Sequence, residues 1–471
     1  MALTSRQKLQ MTITIKTESE NESNAQVALK ARPDTTGFAP SFKPEARGEN
    51  LRFHLIVFAT AFLIVCSRRP DAILNPQFYA EEGAFFYRDA YQLGLHSLLL
   101  TYGGYFHTVL RLVALFVQLF PFGWAPLVMN LAGITFQVLP LNIFLSSRFS
   151  VIGLPIRLLA SFVYLGLPNS FEIHANITNV QWHLALLACL VLLAQPAITK
   201  EWQLFDGIAL FLTSLSSPMG ILLVPVGVAV WWKRRNKRNN WSATSLTILS
   251  CGAAIELISV LLHWHGRQAP HNNLAGQLIF NGGPTGANLH YLAAILARQV
   301  FLPSLLGLHT LGWPLQLTAL STLEAISTVV GLTFLLYVLF SAPLELKLFV
   351  LFAAAVLALG LLNPLAGPPD QPQWYWLCRP GCGNRYYFLP MLAFLASLLW
   401  VATRKASPGA LRYFVVALLL LLPVGIYQDW RIRAFQDFHF QKFAKKFKHV
   451  PSGTTVMIPT NPDWLMELTK H

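Results

Sequence analysis

Apolar residues in this chain gather into continuous blocks separated by short polar stretches, neither alternating nor keeping to one helical face. A helix rises ~1.5 Å per residue and a bilayer core is ~30 Å thick, so blocks of about twenty apolar residues predict membrane crossings. Eleven fit, near residues 51–67, 126–146, 151–168, 180–196, 203–217, 218–232, 242–262, 317–340, 346–363, 386–402 and 411–428. The predicted fold class is therefore an all-α polytopic membrane protein with about eleven transmembrane helices. His107 to Pro121 is apolar but carries His107 and Arg111 in its first turns, which predicts a juxtamembrane or re-entrant helix. Ser216-Ser217-Pro218-Met219-Gly220 predicts a helix break, since proline lacks a donor and glycine weakens the helix.

Polar segments set the expected organisation. Residues 1–50 include KTESENESNA and lack an apolar core with a small-residue cleavage site, predicting a disordered cytosolic tail. The first span then reads as a retained signal anchor. Lys233, Arg234, Arg235, Lys237 and Arg238 form the densest basic cluster, and Arg148, Lys200, Lys347, Arg404 and Lys405 fall on the same side. Positive residues mark the cytosolic side, so the amino terminus is expected inside. The far side then carries a first outer loop, 68–106, then 169–180, 263–298, 364–385 and the tail. Residues 51–430 form the expected membrane domain, with juxtamembrane helices in the first outer loop, and 431–471 a small extracytoplasmic segment. In that segment RAFQDFHFQKFAKKFKHV predicts a basic amphipathic helix, and GTTVMIPTNPDWLMELTKH two extended stretches around Asn461-Pro462.

Composition narrows the function classes. The chain has 471 residues, 54% hydrophobic and 12% charged, too apolar for a soluble protein of this length. Its formal charge of +14 is scattered beside apolar spans, which fits membrane lipid as a partner and argues against nucleic acid. Five cysteines without a Cys-x-x-Cys pair give no disulfide framework or zinc motif. Cys378 and Cys382 fit either a small disulfide loop or two free thiols. No glycine-rich nucleotide fingerprint is present, and short cytosolic loops leave no room for a nucleotide-sugar domain.

Candidate chemistry concentrates in the outer segments. Phe78 to Leu100 holds Glu81, Glu82 and Asp89. As one helix it would set Glu82 and Asp89 within ~20° of each other, with Phe85, Phe86, Leu93 and Leu95 facing a bilayer surface. The second concentration comprises Glu172, His174, Asn176, Asn179, Gln181, Trp182 and His183, a mixture suited either to sugar hydroxyls or to a polar helix cap. Asn176-Ile-Thr178 also matches an N-glycosylation acceptor.

The chain resembles the GT-C superfamily of polytopic membrane glycosyltransferases, which use polyprenyl-phosphate-linked sugars. The resemblance rests on Glu81-Glu82 in the first long outer loop, on Tyr102-Gly-Gly-Tyr-Phe-His107 followed by Arg111, and on Gly383-Asn-Arg-Tyr-Tyr-Phe-Leu-Pro390 before a late span. It spans roughly residues 51–430; Glu-Glu replaces the aspartate-led acidic pair usual there. It implies sugar transfer from a polyprenyl-phosphate donor to an envelope glycan, lipid or protein acceptor on the extracytoplasmic side, with inversion. Relatives of this type include metal users, while no ligand set here demands a divalent metal or other cofactor. A carboxylate among Glu81, Glu82 and Asp89 would take the acceptor proton. Arg385, with Tyr386 and Tyr387, would meet the departing phosphate, with His107 and Arg111 lining the site. A bacterial inner membrane is expected, since no eukaryotic retention signal is present. The alternative is a transporter or flippase of a lipid-linked saccharide, which would use Asp206, Glu256 and Glu324 within or near the spans.

Overall fold

Buried Arg68 ends the first helix, Leu51–Arg68, and gathers the chain around that end. Its guanidinium donates to the carbonyls of Leu165, Leu167, Asp429 and Trp430 at 2.7–3.2 Å. The ends of the first, third and last apolar segments therefore meet on one face, called here the loop face. The computed structural model describes residues 51–236, 240–262, 271–272, 278–279, 284–309, 321–368 and 370–471. The expected tail of residues 1–50 lies outside them, as do Lys237 and Arg238 of the basic cluster.

The described residues contain eight helices long and apolar enough to cross a membrane, identifying a multi-pass membrane protein. Seven coincide with expected spans: Leu51–Arg68, Phe122–Leu145, Trp241–Leu262, Thr322–Ser341, Leu344–Leu362, Asn384–Thr403 and Gly409–Gln428. Four expected spans form shorter helices, Leu154–Leu165, Val180–Leu193, Lys200–Ser214 and Met219–Arg234. Val180–Leu193 starts where expected and stops three residues early, and the polar loop before it is itself buried, its backbone satisfied by Asn, Gln and Arg side chains. The eighth long helix, Leu289–Leu306, falls partly in a stretch expected to be loop.

The opposite face is tied by ion pairs. Arg148 grips Asp206 through two bonds of 2.7 and 2.8 Å, Trp241 donates to the same carboxylate, and Lys233 meets Glu345 at 2.8 Å. Thr108–Val117 stays near the loop face at both ends: Thr108 bonds the Leu215 carbonyl, and Gly123 beyond its far end accepts from Gln441.

The first outer loop is not one helix. Glu82–Tyr87 is a π turn, Arg88–Leu93 is α-helical and Gly94–Leu99 is 3₁₀. The wider π turn changes the angular register, so Glu82 and Asp89 do not share a face. Phe85 and Phe86 turn inward, while Leu93, Leu95 and Leu99 are exposed. The carboxyl-terminal segment folds onto this loop. Helix Phe440–His449 buries Phe440 against Phe78 and Phe122, and strands Thr455–Thr460 and Trp464–Thr469 form an antiparallel hairpin. Asn461, in its turn, exchanges backbone bonds with Phe78 and Ala80. All five cysteines, Cys378 and Cys382 included, are free.

Candidate functional site

Glu81 stands at the start of the π turn, after Ala80, which the Asn461 carbonyl holds at a positive φ of 48°. Glu81 is half-buried as a residue, and its carboxyl sits within electrostatic reach of Arg385 and Glu172. Burial raises its pKa above the ordinary carboxylate range and the Glu172 charge adds to that, while Arg385 and the nearby Tyr102 hydroxyl oppose it. Tyr105, across the Gly103-Gly104 turn from Tyr102, also feels the Glu81 charge. Gly103 and Gly104 have φ of 62° and 89°, the left-handed region that lets this loop double back.

Arg385 enters from the start of the Asn384–Thr403 helix. Its backbone N–H donates to Glu172 Oε2 at 2.9 Å and its Nη1 pairs with Glu172 Oε1. Nη2 meets the Leu365 carbonyl and the Tyr386 hydroxyl, both at 3.1 Å. The side chain keeps 23% exposure, and Nε has no partner among the described residues. Tyr386 packs edge-on against Trp182, with ring centres 5.8 Å apart. Trp182 Nε1 and Gln181 Oε1 are buried without hydrogen-bond partners among the described residues, an arrangement that leaves polar groups for a ligand or water.

The structure thus brings together Glu81, Glu172, Arg385, Tyr386 and Trp182, and places other expected residues elsewhere. Glu82 is fully buried, accepting from the Tyr79 N–H at 2.6 Å and the Thr178 hydroxyl at 3.4 Å. Burial pushes its carboxyl up to about 8 despite nearby Arg69. Asp89 is paired with Arg88 at 2.9 Å and Arg111 at 3.3 Å. Arg111 also donates to the Phe106 carbonyl and lies over the Phe86 ring, so both residues hold the loop. His107 stacks on Tyr105 at 4.1 Å; burial and then Arg111 push its pKa down to about 3.

His174 is a brace, its Nε2 facing the Val65 carbonyl and its Nδ1 the Gln137 amide, both at 3.0 Å. Burial, foremost, keeps it neutral well below its ordinary pKa. Asn176 and Asn179 both donate to the Glu172 carbonyl, so they shape the loop that presents Glu172. Asn176 is buried, which removes it as a glycosylation acceptor in the folded chain. Tyr387 is buried with its hydroxyl on the Leu377 carbonyl.

Sequence reasoning missed Tyr102 and Tyr105 as site residues, although a Tyr-Gly-Gly-Tyr repeat around a tight turn was visible. It also missed Arg69, buried between Asp71 and Glu82 with the Phe435 ring 3.4 Å away. Two of the three carrier acids are engaged, Asp206 by Arg148 and Glu324 by Arg298 at 2.6 Å. Glu256 is different: it faces the Phe106 backbone from within a span, and neither oxygen has a well-formed hydrogen bond. Among the described residues no three His, Cys, Asp or Glu side chains form a metal-holding group. No protein-family model and no curated protein matches this chain.

Proposed function

We propose that this chain is an inverting membrane glycosyltransferase of GT-C type, moving a sugar from a polyprenyl-phosphate donor to an envelope glycan, lipid or protein. The observation that carries the reading is the meeting of a carboxylate with a raised pKa, Glu81, and a partly free guanidinium, Arg385, where a late span opens on the loop face. Glu81 takes the proton of the acceptor hydroxyl as its oxygen bonds the anomeric carbon. The bond from that carbon to the phosphate oxygen breaks, its electron pair leaves with the phosphate, and Arg385 stabilises the developing charge. Glu172 orients Arg385, and the Tyr102 hydroxyl orients Glu81. A divalent cation would draw on Glu81, Glu172 and the donor phosphate, because hard cations take oxygen ligands.

The reading puts the loop face outside a bacterial inner membrane and the amino terminus in the cytosol. About eleven crossings are supported by helix ends that meet alternately on the two faces: 165 with 68 on one, 193 with 234 on the other, 215 with 108 on the first again. Support for a carrier narrows to Glu256, since its companion acids are paired.

The deciding assay measures sugar transfer from defined polyprenyl-phosphate sugars by purified chain at matched folding. Glu81→Gln is expected to lower turnover at least ~100-fold, the range of general-base removal, and Tyr102→Phe less. Full turnover in Glu81→Gln removes the mechanism. Saccharide uptake abolished by Glu256→Gln alone, without any transfer, would favour the carrier.

A further inference from the structure

A groove of about 740 Å³ runs down the flank where Leu154–Leu165, Phe388–Thr403 and the last span meet. Its walls are apolar, formed by Leu159, Phe162, Leu399, Leu419 and Leu422, and its loop-face end is closed by Trp430 and Arg431. Leu399 lies eleven residues below Phe388, so the groove descends about 16 Å from the loop face. That matches one leaflet, half of a ~30 Å hydrocarbon core.

The last span bends beside this groove, next to Pro423. Gly409–Leu419 and Leu422–Gln428 are joined by Leu420 and Leu421, which keep right-handed helical angles and their backbone hydrogen bonds, with Pro423 at the start of the second part and Leu420 72% exposed. At the mouth, Arg431 is exposed and donates only Nη1, to the Ser67 carbonyl at 2.8 Å; its other donors have no partner among the described residues. The nearest acid in sequence, Asp429, is taken up by His309 and the backbone N–H groups of Asn169 and Leu308. Trp430 and Tyr427 add the aromatic groups that sit at headgroup level.

We infer that this groove is a specific site for an anionic glycerophospholipid, its acyl chain along Leu159, Phe162 and Leu422 and its phosphate on Arg431. The one-leaflet depth suits an acyl chain rather than a much longer polyprenyl chain, and the site goes beyond the transferase reading and does not rest on it. A bound lipid lies along the kinked span and supports the Arg431 link to the first helix.

The test is native mass spectrometry of the delipidated full chain titrated with phosphatidylglycerol, phosphatidylcholine or undecaprenyl phosphate. Wild type should retain one phosphatidylglycerol in preference to phosphatidylcholine. Arg431→Gln should weaken that retention about fivefold, the worth of one interfacial cation. Leu159→Trp, at a position already 48% exposed, should abolish it by filling the groove. Equal retention in wild type and Arg431→Gln overturns the site, as does undecaprenyl phosphate displacing phosphatidylglycerol. Arg431→Gln changes an exposed side chain, so it decides the matter even if Leu159→Trp fails to fold.

Discussion

Glu82 shows how one position separates a role suggested by sequence from one set by surroundings. As an acid beside Glu81 in an outer loop it was an equal candidate for the base, yet it is sealed from solvent by its own loop and Thr178. Its carboxyl, pushed up to about 8 by burial, binds a proton more tightly in the fold than in the unfolded chain. Stability should therefore be greatest below the ordinary carboxylate pKa and fall as pH rises toward about 8, levelling beyond it. Thermal unfolding in detergent across this window should show the fall, and Glu82→Gln should flatten it. A slope unchanged by that substitution would place the titrating group elsewhere. Asp89→Asn, by contrast, should release Arg111 and lower the melting temperature without a selective loss of turnover. Which of three acids meets Arg385 was invisible in sequence, because a π turn and a positive φ at Ala80 decide where each one points.

At the scale of elements, close approach of backbone fixes the loop that carries Glu172. Gly133, inside the Ala125–Leu145 helix, lies against residues 176–177; a Cβ there would fall 2.5 Å from the Asn176 carbonyl carbon. Backbone cannot yield as a side-chain tip does, so Gly133→Ala should cost ~1–3 kcal/mol, read as a lower melting temperature. Gly409→Ala, with nothing within 4 Å, is the matched control. Indistinguishable melting of the two variants would mean the loop is not seated on that helix. The carboxyl-terminal segment was legible in part: the two extended stretches around Asn461-Pro462 form, while the helix expected over 433–450 forms only at Phe440–His449, residues 433–439 running non-helically over the first loop where Phe435 and Gln436 bond Asp71 and Asn461. Its docking on the first loop was not, since Phe78, Phe122 and Phe440 are three unremarkable aromatics until they meet.

For the whole molecule, sidedness is the testable quantity. Ser452 lies in the carboxyl-terminal segment on the loop face, while Lys405 follows a helix that ends on the opposite face; both are exposed. With the five native cysteines replaced, Ser452→Cys and Lys405→Cys should react with a membrane-impermeant thiol reagent from opposite sides of intact cells or vesicles. Labelling of both from one side would break the assignment of the two faces.

Unbroken apolar blocks were enough to determine a multi-pass helical membrane protein, because a helix satisfies its own backbone and needs only about twenty apolar neighbours in sequence to enter a bilayer. The location of most spans and the two-part carboxyl-terminal segment followed from equally local patterns. Tertiary structure alone decided that Glu81 lies within electrostatic reach of Arg385, that Glu82, Asp89 and His174 are braces, and that the last span lines a groove. These depend on contacts between segments tens to hundreds of positions apart, and the burial that sets a carboxyl's proton affinity exists only once those segments are packed.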